Sequence, residues 1–276
     1  MQCTGTRCIA MSGFTAPAKK RFGQHFLTDY SVIERIIMAL APAPTDRLVE
    51  IGPGRGALTL PLLRRHGSLC AIEFDRDLIE PLRAAAQPVG TLEIISADVL
   101  RVDFTALAAG GTIRLVGNLP YNISSPILFH ALDHAAAIHD MHFMLQKEVV
   151  ERMAAAPGSK VYGRLSVMLQ ALCEVIPLFE IGPQSFHPPP KVDSAVVRLL
   201  PRPAQQIGID DRALFARVVH DAFGQRRKTL RNALANVCSA DAMLRAGIRA
   251  DLRAEQLPVA SFIALSNSLH REGMAS

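Results

Sequence analysis

Cysteine is sparse: five residues in a chain of 276, an odd number that gives no disulfide framework. Cys70 and Cys173 lie in apolar runs, where a free thiol behaves as a small hydrophobe. Cys3 and Cys8 stand in the N-terminal tail without histidine partners, which argues against a zinc site. Tryptophan is absent, and there is neither an internal repeat nor a low-complexity tract. No apolar run approaches the roughly 20 residues needed to cross a bilayer. The N-terminus, MQCTGTRCIAM, has one Arg but no apolar stretch and reads as neither a secretory signal nor an anchor. Met11 is an alternative start. With 49% hydrophobic and 20% charged residues, the composition excludes disordered and fibrous classes. These features imply a globular protein of the reducing cytoplasm with no membrane partner, and a monomer is the plain expectation for its oligomeric state.

Charge is unevenly distributed. Residues 1–200 carry 19 basic and 18 acidic groups, whereas residues 201–276 carry 11 and 7. The excess positive charge therefore sits in the last quarter, where it suits a polyanionic partner.

Short apolar runs at Arg47–Ile51, Leu69–Glu73, Leu92–Ser96, Ile113–Gly117 and Met141–Leu145 are separated by stretches long enough for helices. That alternation predicts an α/β fold with a mainly parallel sheet buried on both faces. Ahead of it, Thr28–Leu40 has apolar spacing for an amphipathic helix, opened by a Ser31–Glu34 capping box. Glu148–Ala155 and Arg164–Leu172 read as helices, and Glu174–Ile181 and Ser194–Leu200 as a closing antiparallel pair around Pro188-Pro189-Pro190. Pro201-Arg202-Pro203 marks a boundary, because two prolines bracketing one residue continue neither a helix nor a ladder. Beyond it, Asp211–Ala222, Arg226–Val237, Ala240–Ala246 and Val259–His270 have helical spacing. The expected organisation is a flexible tail over residues 1–18, an α/β domain over 19–200 and a small all-α C-terminal domain over 201–276.

The segment VEIGPGRGALTL, residues 49–60, is a strand ending in a turn with Gly52, Gly54 and Gly56 and leading into a helix. Such glycines admit positive φ and close approach of a ligand. By itself the turn also fits the looser dinucleotide pattern. Glu73 ends the next strand, where a carboxylate can accept from ribose hydroxyls, and Asp98 ends the third, within reach of an exocyclic adenine amine.

The fourth strand runs into Asn118-Leu119-Pro120-Tyr121. The Asn118 amide oxygen can accept from an NH₂ group. Pro120 biases Leu119 away from α geometry and turns its carbonyl outward, and Tyr121 offers a flat face for a base. The set suits a planar exocyclic amine whose lone pair is delocalised into its ring. Oxygen acceptors would draw its hydrogens out of plane and stabilise the charge developing on nitrogen as it attacks a methyl sulfonium.

The segments VEIGPGRGALT, NLPYNISSPIL, MLQKEVVERM, YGRLSV, FHPPPKVDSAVVRL and FGQRRKTLRNAL together resemble the adenine dimethyltransferases of small-subunit ribosomal RNA (the KsgA family), from about Lys19 to the C-terminal helices. The resemblance implies a Rossmann-like class I methyltransferase with a mainly parallel seven-stranded sheet. It also implies S-adenosyl-L-methionine as cofactor and transfer of two methyl groups to N6 of each of two adjacent adenosines in a hairpin loop near the 3′ end of that RNA, within a partly assembled small subunit. The family pattern sets the cofactor against His25, Leu27, Gly52, Glu73, Asp98 and Asn118. Position 25 is His where Asn also occurs in similar proteins, so a backbone contact is implied and a catalytic imidazole is not. Phe186 would be the second aromatic wall of the target pocket, opposite Tyr121.

Arg226, Arg227, Lys228 and Arg231 fall within six positions. On one helix, Arg227 and Arg231 would share a face and grip neighbouring phosphates. Lys19-Lys20-Arg21 forms a second basic cluster. His130 and His134 stand close to a zinc-binding spacing, but without a third ligand no metal is expected. Three other readings remain compatible with parts of the pattern: adenine methylation of large-subunit RNA or DNA, a non-catalytic RNA-binding or ribosome-assembly factor, and, from the glycines alone, a nicotinamide dehydrogenase.

Overall fold

The structure is a computed structural model that describes residues 25–225 and 227–274. The expected tail, the Lys19-Lys20-Arg21 cluster and Arg226 lie outside the described residues.

The described residues open with β1 (Phe26–Leu27) and α1 (Tyr30–Leu40). Strands β2 (Leu48–Ile51), β3 (Ser68–Glu73), β4 (Thr91–Ser96), β5 (Ile113–Asn118) and β6 (Ile138–Gln146) then alternate with α2 (Thr59–His66), α3 (Arg76–Ala86), α4 (Phe104–Ala108) and α5 (Ser124–Asp133). After α6 (Lys147–Ala154) and α7 (Arg164–Leu172), β7 (Cys173–Ile181), a short β8 (Phe186–His187) and β9 (Ser194–Pro201) complete the strands. The remainder is helical: α8 (Ala204–Ile207), α9 (Arg212–Gly224), α10 (Leu230–Ala233), α11 (Ala240–Arg245) and α12 (Val259–Met274).

Seven strands form one sheet in the order β4-β3-β2-β5-β6-β9-β7. β2 to β6 pair in parallel, and β9 inserts antiparallel between β6 and β7. The chain winds outward from β2 to β4 and then restarts at β5 on the other side, so a crevice opens between the carboxyl ends of β2 and β5, where ligands bind in sheets of this kind. Gly117 allows that junction to be tight: a Cβ there would lie 2.4 Å from the Ile51 carbonyl oxygen. Alternating residues feed two apolar layers. Val49, Ile51 and Leu115 join one, and Leu48, Val116 and Val196 join the other with the buried face of α1. The first layer continues without a break from the sheet through Val167 and Leu169 of α7 to Phe215, Val218, Phe262 and Leu265 of the C-terminal helices.

A buried charge cluster ties the amino ends of the strands together. Arg114 of β5 donates through Nε and Nη2 to the two oxygens of Asp140 on β6, each at 2.8 Å, and through Nη2 to the Leu40 carbonyl at 2.7 Å. Arg198 of β9 adds a 3.0 Å bond to Asp140. Arg114 and Asp140 are both buried and are thereby paired, where an unpaired charge would cost several kcal/mol.

Two local expectations are corrected. The cap of α1 is Asp29 rather than a Ser31–Glu34 box: its Oδ1 accepts the amides of Ser31 and Val32 at 3.0 and 3.4 Å and the Ser31 hydroxyl at 2.7 Å. The expected helix Arg226–Val237 shrinks to α10. The amides of Leu230 and Arg231 donate instead to the carbonyls of Leu252 and Ala250, at 2.7 and 2.9 Å, so the backbone there is committed to a crossing segment. Arg227 and Arg231 consequently share no helical face, though Arg227, Lys228 and Arg231 are all exposed.

Candidate active site

A cavity of about 320 Å³ occupies the crevice at the carboxyl ends of the parallel strands. Its wall brings together His25, Leu27, Gly52, Glu73, Asp98, Asn118, Leu119, Pro120 and Tyr121, from five separate stretches of chain.

The glycine turn forms the floor. Gly52, Gly54 and Gly56 all have positive φ, at 67°, 56° and 82°, a conformation that a residue with a Cβ adopts only under strain. The Gly54 amide donates to Glu73 Oε2 at 3.1 Å, and the Asp75 amide donates to Oε1 at 2.7 Å. Both carboxylate oxygens are thus held by backbone, and each keeps a further lone pair for a ligand hydroxyl. Burial nevertheless pushes the Glu73 carboxyl above its usual range. Asp98 sits two residues beyond the end of β4, where its Oδ1 caps a short turn by accepting the Leu100 amide at 3.1 Å.

Glu50 adds an acid at the base of the cavity. Its side chain is buried, Oε2 accepts from Thr59 Oγ1 at 2.6 Å, and burial together with the neighbouring Glu73 pushes its carboxyl up to about 8. With Glu73, Asp75 and Asp98 on its wall the cavity is acidic. The Arg55 guanidinium on the same wall stacks over the Phe26 ring, 4.3 Å from its centroid. A ligand with a ribose, a polar base and positive charge elsewhere suits this lining, and S-adenosylmethionine has all three.

Beside the glycine turn, β5 delivers Asn118. Its Nδ2 donates to the His25 carbonyl at 2.9 Å. A carbonyl only accepts, so the amide has one workable orientation, and Oδ1 is left for another partner. Leu119 is buried and its amide donates to the Met144 carbonyl at 3.1 Å, which pins the turn to β6. The Tyr121 hydroxyl lies 2.6 Å from Ser194 Oγ, and its ring stacks with His25 at a centroid distance of 5.8 Å. The imidazole is itself anchored, with Nδ1 donating to the Pro188 carbonyl at 2.8 Å.

Phe186 is not among the residues that line the cavity. It is only 3% exposed, pairs with Leu27 in the β1–β8 ladder and packs in the layer beneath α1. The expected second aromatic wall is therefore corrected to a core residue. Arg227, Lys228 and Arg231 are likewise absent from the cavity wall. His130 Nε2 bonds the Val102 carbonyl at 2.8 Å and His134 Nδ1 the Thr105 hydroxyl at 3.0 Å, so the two imidazoles tie the end of α5 to α4 and the loop before it. Glu50, Phe74 and Asn122 line the cavity, and Thr59 and Ser194 bond to residues on its wall; sequence reasoning gave none of the five a part in the site. Of these, Glu50 had a signal as the one charged residue inside the apolar VEI run, and Ser194 in FHPPPKVDS.

The sheet order, the crevice and the acidic cavity define a class I S-adenosylmethionine-dependent methyltransferase. Residues 16–271 match the family described as Ribosomal RNA adenine dimethylase, and the chain belongs to that family. It is 68% identical over 256 residues, 93% of this chain and 98% of the relative, to a Ribosomal RNA small subunit methyltransferase A of Xanthomonas campestris pv. campestris (strain B100). A protein of the same name from Xanthomonas oryzae pv. oryzae (strain PXO99A) is 67% identical over the same length. Among solved structures, a dimethyladenosine transferase from Plasmodium falciparum superposes with a TM-score of 0.78 at 25% identity, over 90% of this chain and 98% of that one. The 23S rRNA methyltransferase ErmE gives 0.68 at 25% identity, over 89% and 99%. The chain is accordingly an S-adenosylmethionine-dependent adenine methyltransferase of ribosomal RNA. No described helix is long and apolar enough to cross a membrane.

Proposed function

We propose that this enzyme adds two methyl groups to N6 of each of two adjacent adenosines in the 3′-terminal hairpin loop of small-subunit ribosomal RNA, acting as a cytoplasmic monomer on a partly assembled subunit. The 68% identity to a small-subunit methyltransferase, against 25% to a large-subunit one, supports the small subunit as target. Residues 19–200 would carry the chemistry. Residues 201–276, with Arg226, Arg227, Lys228 and Arg231, would hold phosphates.

The observation that carries the mechanism is the fixed orientation of Asn118. Because its NH₂ is engaged by the His25 carbonyl, Oδ1 is the atom free to accept from the adenine amine. The Leu119 carbonyl would accept the second hydrogen. Together they would pull N6 toward a tetrahedral shape and stabilise its developing positive charge. S-adenosylmethionine supplies an electrophilic methyl on sulfur. Glu73 would hold the ribose, Asp98 the adenine amine of the cofactor, and the backbone at His25, Leu27 and Gly52 the rest. Tyr121 would stack on the extruded target base and offset part of the few kcal/mol that unstacking costs. The proton leaves to solvent after transfer, so no strong base is required.

Incubating the protein with labelled S-adenosylmethionine and unmodified small subunits, then mapping modified nucleosides, tests the reading. Label in two adjacent N6,N6-dimethyladenosines is expected. Label confined to large-subunit RNA, or no transfer with intact cofactor binding, would overturn it.

A further inference from the structure

Stacking asks only for an aromatic face, and phenylalanine would provide one. The Tyr121 hydroxyl therefore needs another explanation. A ring on a turn is free to change rotamer unless something outside the turn holds it. Tyr121 is held twice, by the His25 imidazole against its ring and by Ser194 at its hydroxyl.

Ser194 is well placed to act as an anchor. It opens β9, is fully buried, and pairs with Gln146 of β6 on one side and Ile181 of β7 on the other. The carbonyl just before it, of Asp193, accepts the Lys147 amide at 2.9 Å. Its hydroxyl thus projects from the interior of the sheet rather than from a loop. Burial pushes the Tyr121 phenol above its usual range, with the bond to Ser194 opposing, so the two hydroxyls meet as a neutral donor and acceptor.

We propose that Ser194, which does not line the cofactor cavity, is a positioning residue for methyl transfer that acts through the Tyr121 hydroxyl and fixes the ring where the target adenine stacks. The inference rests on the reading of Tyr121 as that stacking face. Deleting the link leaves the ring held by His25 alone without touching the cofactor, so turnover falls and cofactor affinity stays.

The test is a double-mutant cycle of Ser194→Ala and Tyr121→Phe, read as kcat and KM on unmodified small subunits, with S-adenosylmethionine affinity from calorimetry. Each single variant should lose roughly 3- to 10-fold in kcat, the worth of one hydrogen bond, at unchanged cofactor affinity. The double variant should lose no more than either single one. On a hairpin RNA with 2-aminopurine at the target position, both should also weaken the quenching that stacking produces. Wild-type kcat in Ser194→Ala, or losses that multiply in the double variant, would overturn the proposal. Should Ser194→Ala fail to fold, Tyr121→Phe probes the same bond from the less buried side, and wild-type kcat there overturns it equally. Tyr121→Ala separates the two levels. If it transfers methyl normally, the stacking reading falls and the proposal with it, whereas a loss there beside an unaffected Ser194→Ala removes the Ser194 link alone.

Discussion

Asn118 and His25 are 93 positions apart in sequence, yet the side-chain amide of the first donates to the backbone carbonyl of the second at 2.9 Å. That bond fixes which arm of the carboxamide faces the reacting amine. Replacing Asn118 by Ala removes the acceptor and leaves the glycine turn and the two strand-end acids, Glu73 and Asp98, in place. Methyl transfer should fall by about 10²- to 10³-fold, the range seen when one preorganised transition-state partner is lost. S-adenosylmethionine affinity from calorimetry should change far less. An equal loss in both would move Asn118 from chemistry to cofactor binding.

Glu73 makes the converse prediction. Its oxygens already receive the Gly54 and Asp75 amides, so Glu73→Ala removes the ribose acceptor and also loosens the turn. Cofactor affinity should drop by about 10- to 100-fold, the worth of a hydrogen bond to a charged group. The kcat at saturating cofactor should be much less affected. Unchanged affinity would take Glu73 off the ribose.

What could be read before folding was whatever depends on neighbours in sequence. The strand–glycine–helix run, the strand-end acid Glu73 and the Asn118–Tyr121 turn are local patterns, and they meet in one cavity because each lies at or near the carboxyl end of a parallel strand. The failures concern residues whose fate is decided elsewhere. Phe186 is buried because a two-residue ladder pairs it with Leu27, some 160 positions away. The helix expected over 226–237 is broken because carbonyls of Ala250 and Leu252 claim its amides. Ser31–Glu34 had the letters of a capping box, but Asp29, two positions earlier, offered a better acceptor and is itself tied to the Ser185 hydroxyl at 2.9 Å.

Loss of the shared helical face alters what the basic cluster can do without removing it. Arg227 and Arg231 remain exposed, and charges on a turn contact phosphates as well as charges on a helix do. If both do so, reversing them to Glu should flatten the slope of log K against log salt by about 2, at slightly under one per lost phosphate contact. Filter binding of the target hairpin between low and moderate salt measures this. A slope equal to wild type would exclude these residues from the phosphate grip.

Glu50 carries a pH dependence whose sign follows from its burial. Its carboxyl, ordinarily near 4.5, is pushed up to about 8 in the fold by desolvation and by Glu73. Below about pH 4.5 both folded and unfolded chains hold the proton, and the site costs nothing. As pH rises from there to about 8, the unfolded chain releases its proton while the folded one keeps it, so stability declines; above that it levels off. The full effect is on the order of 3 to 5 kcal/mol. Glu50→Gln keeps an oxygen to accept the Thr59 hydroxyl and carries no titratable group. The two proteins should therefore melt together near pH 5, and the variant should melt progressively higher as pH approaches 8 to 9. A gap that is the same from pH 5 to 9 would mean that Glu50 titrates in the folded enzyme as it does in the unfolded chain, with its charge compensated inside the cavity.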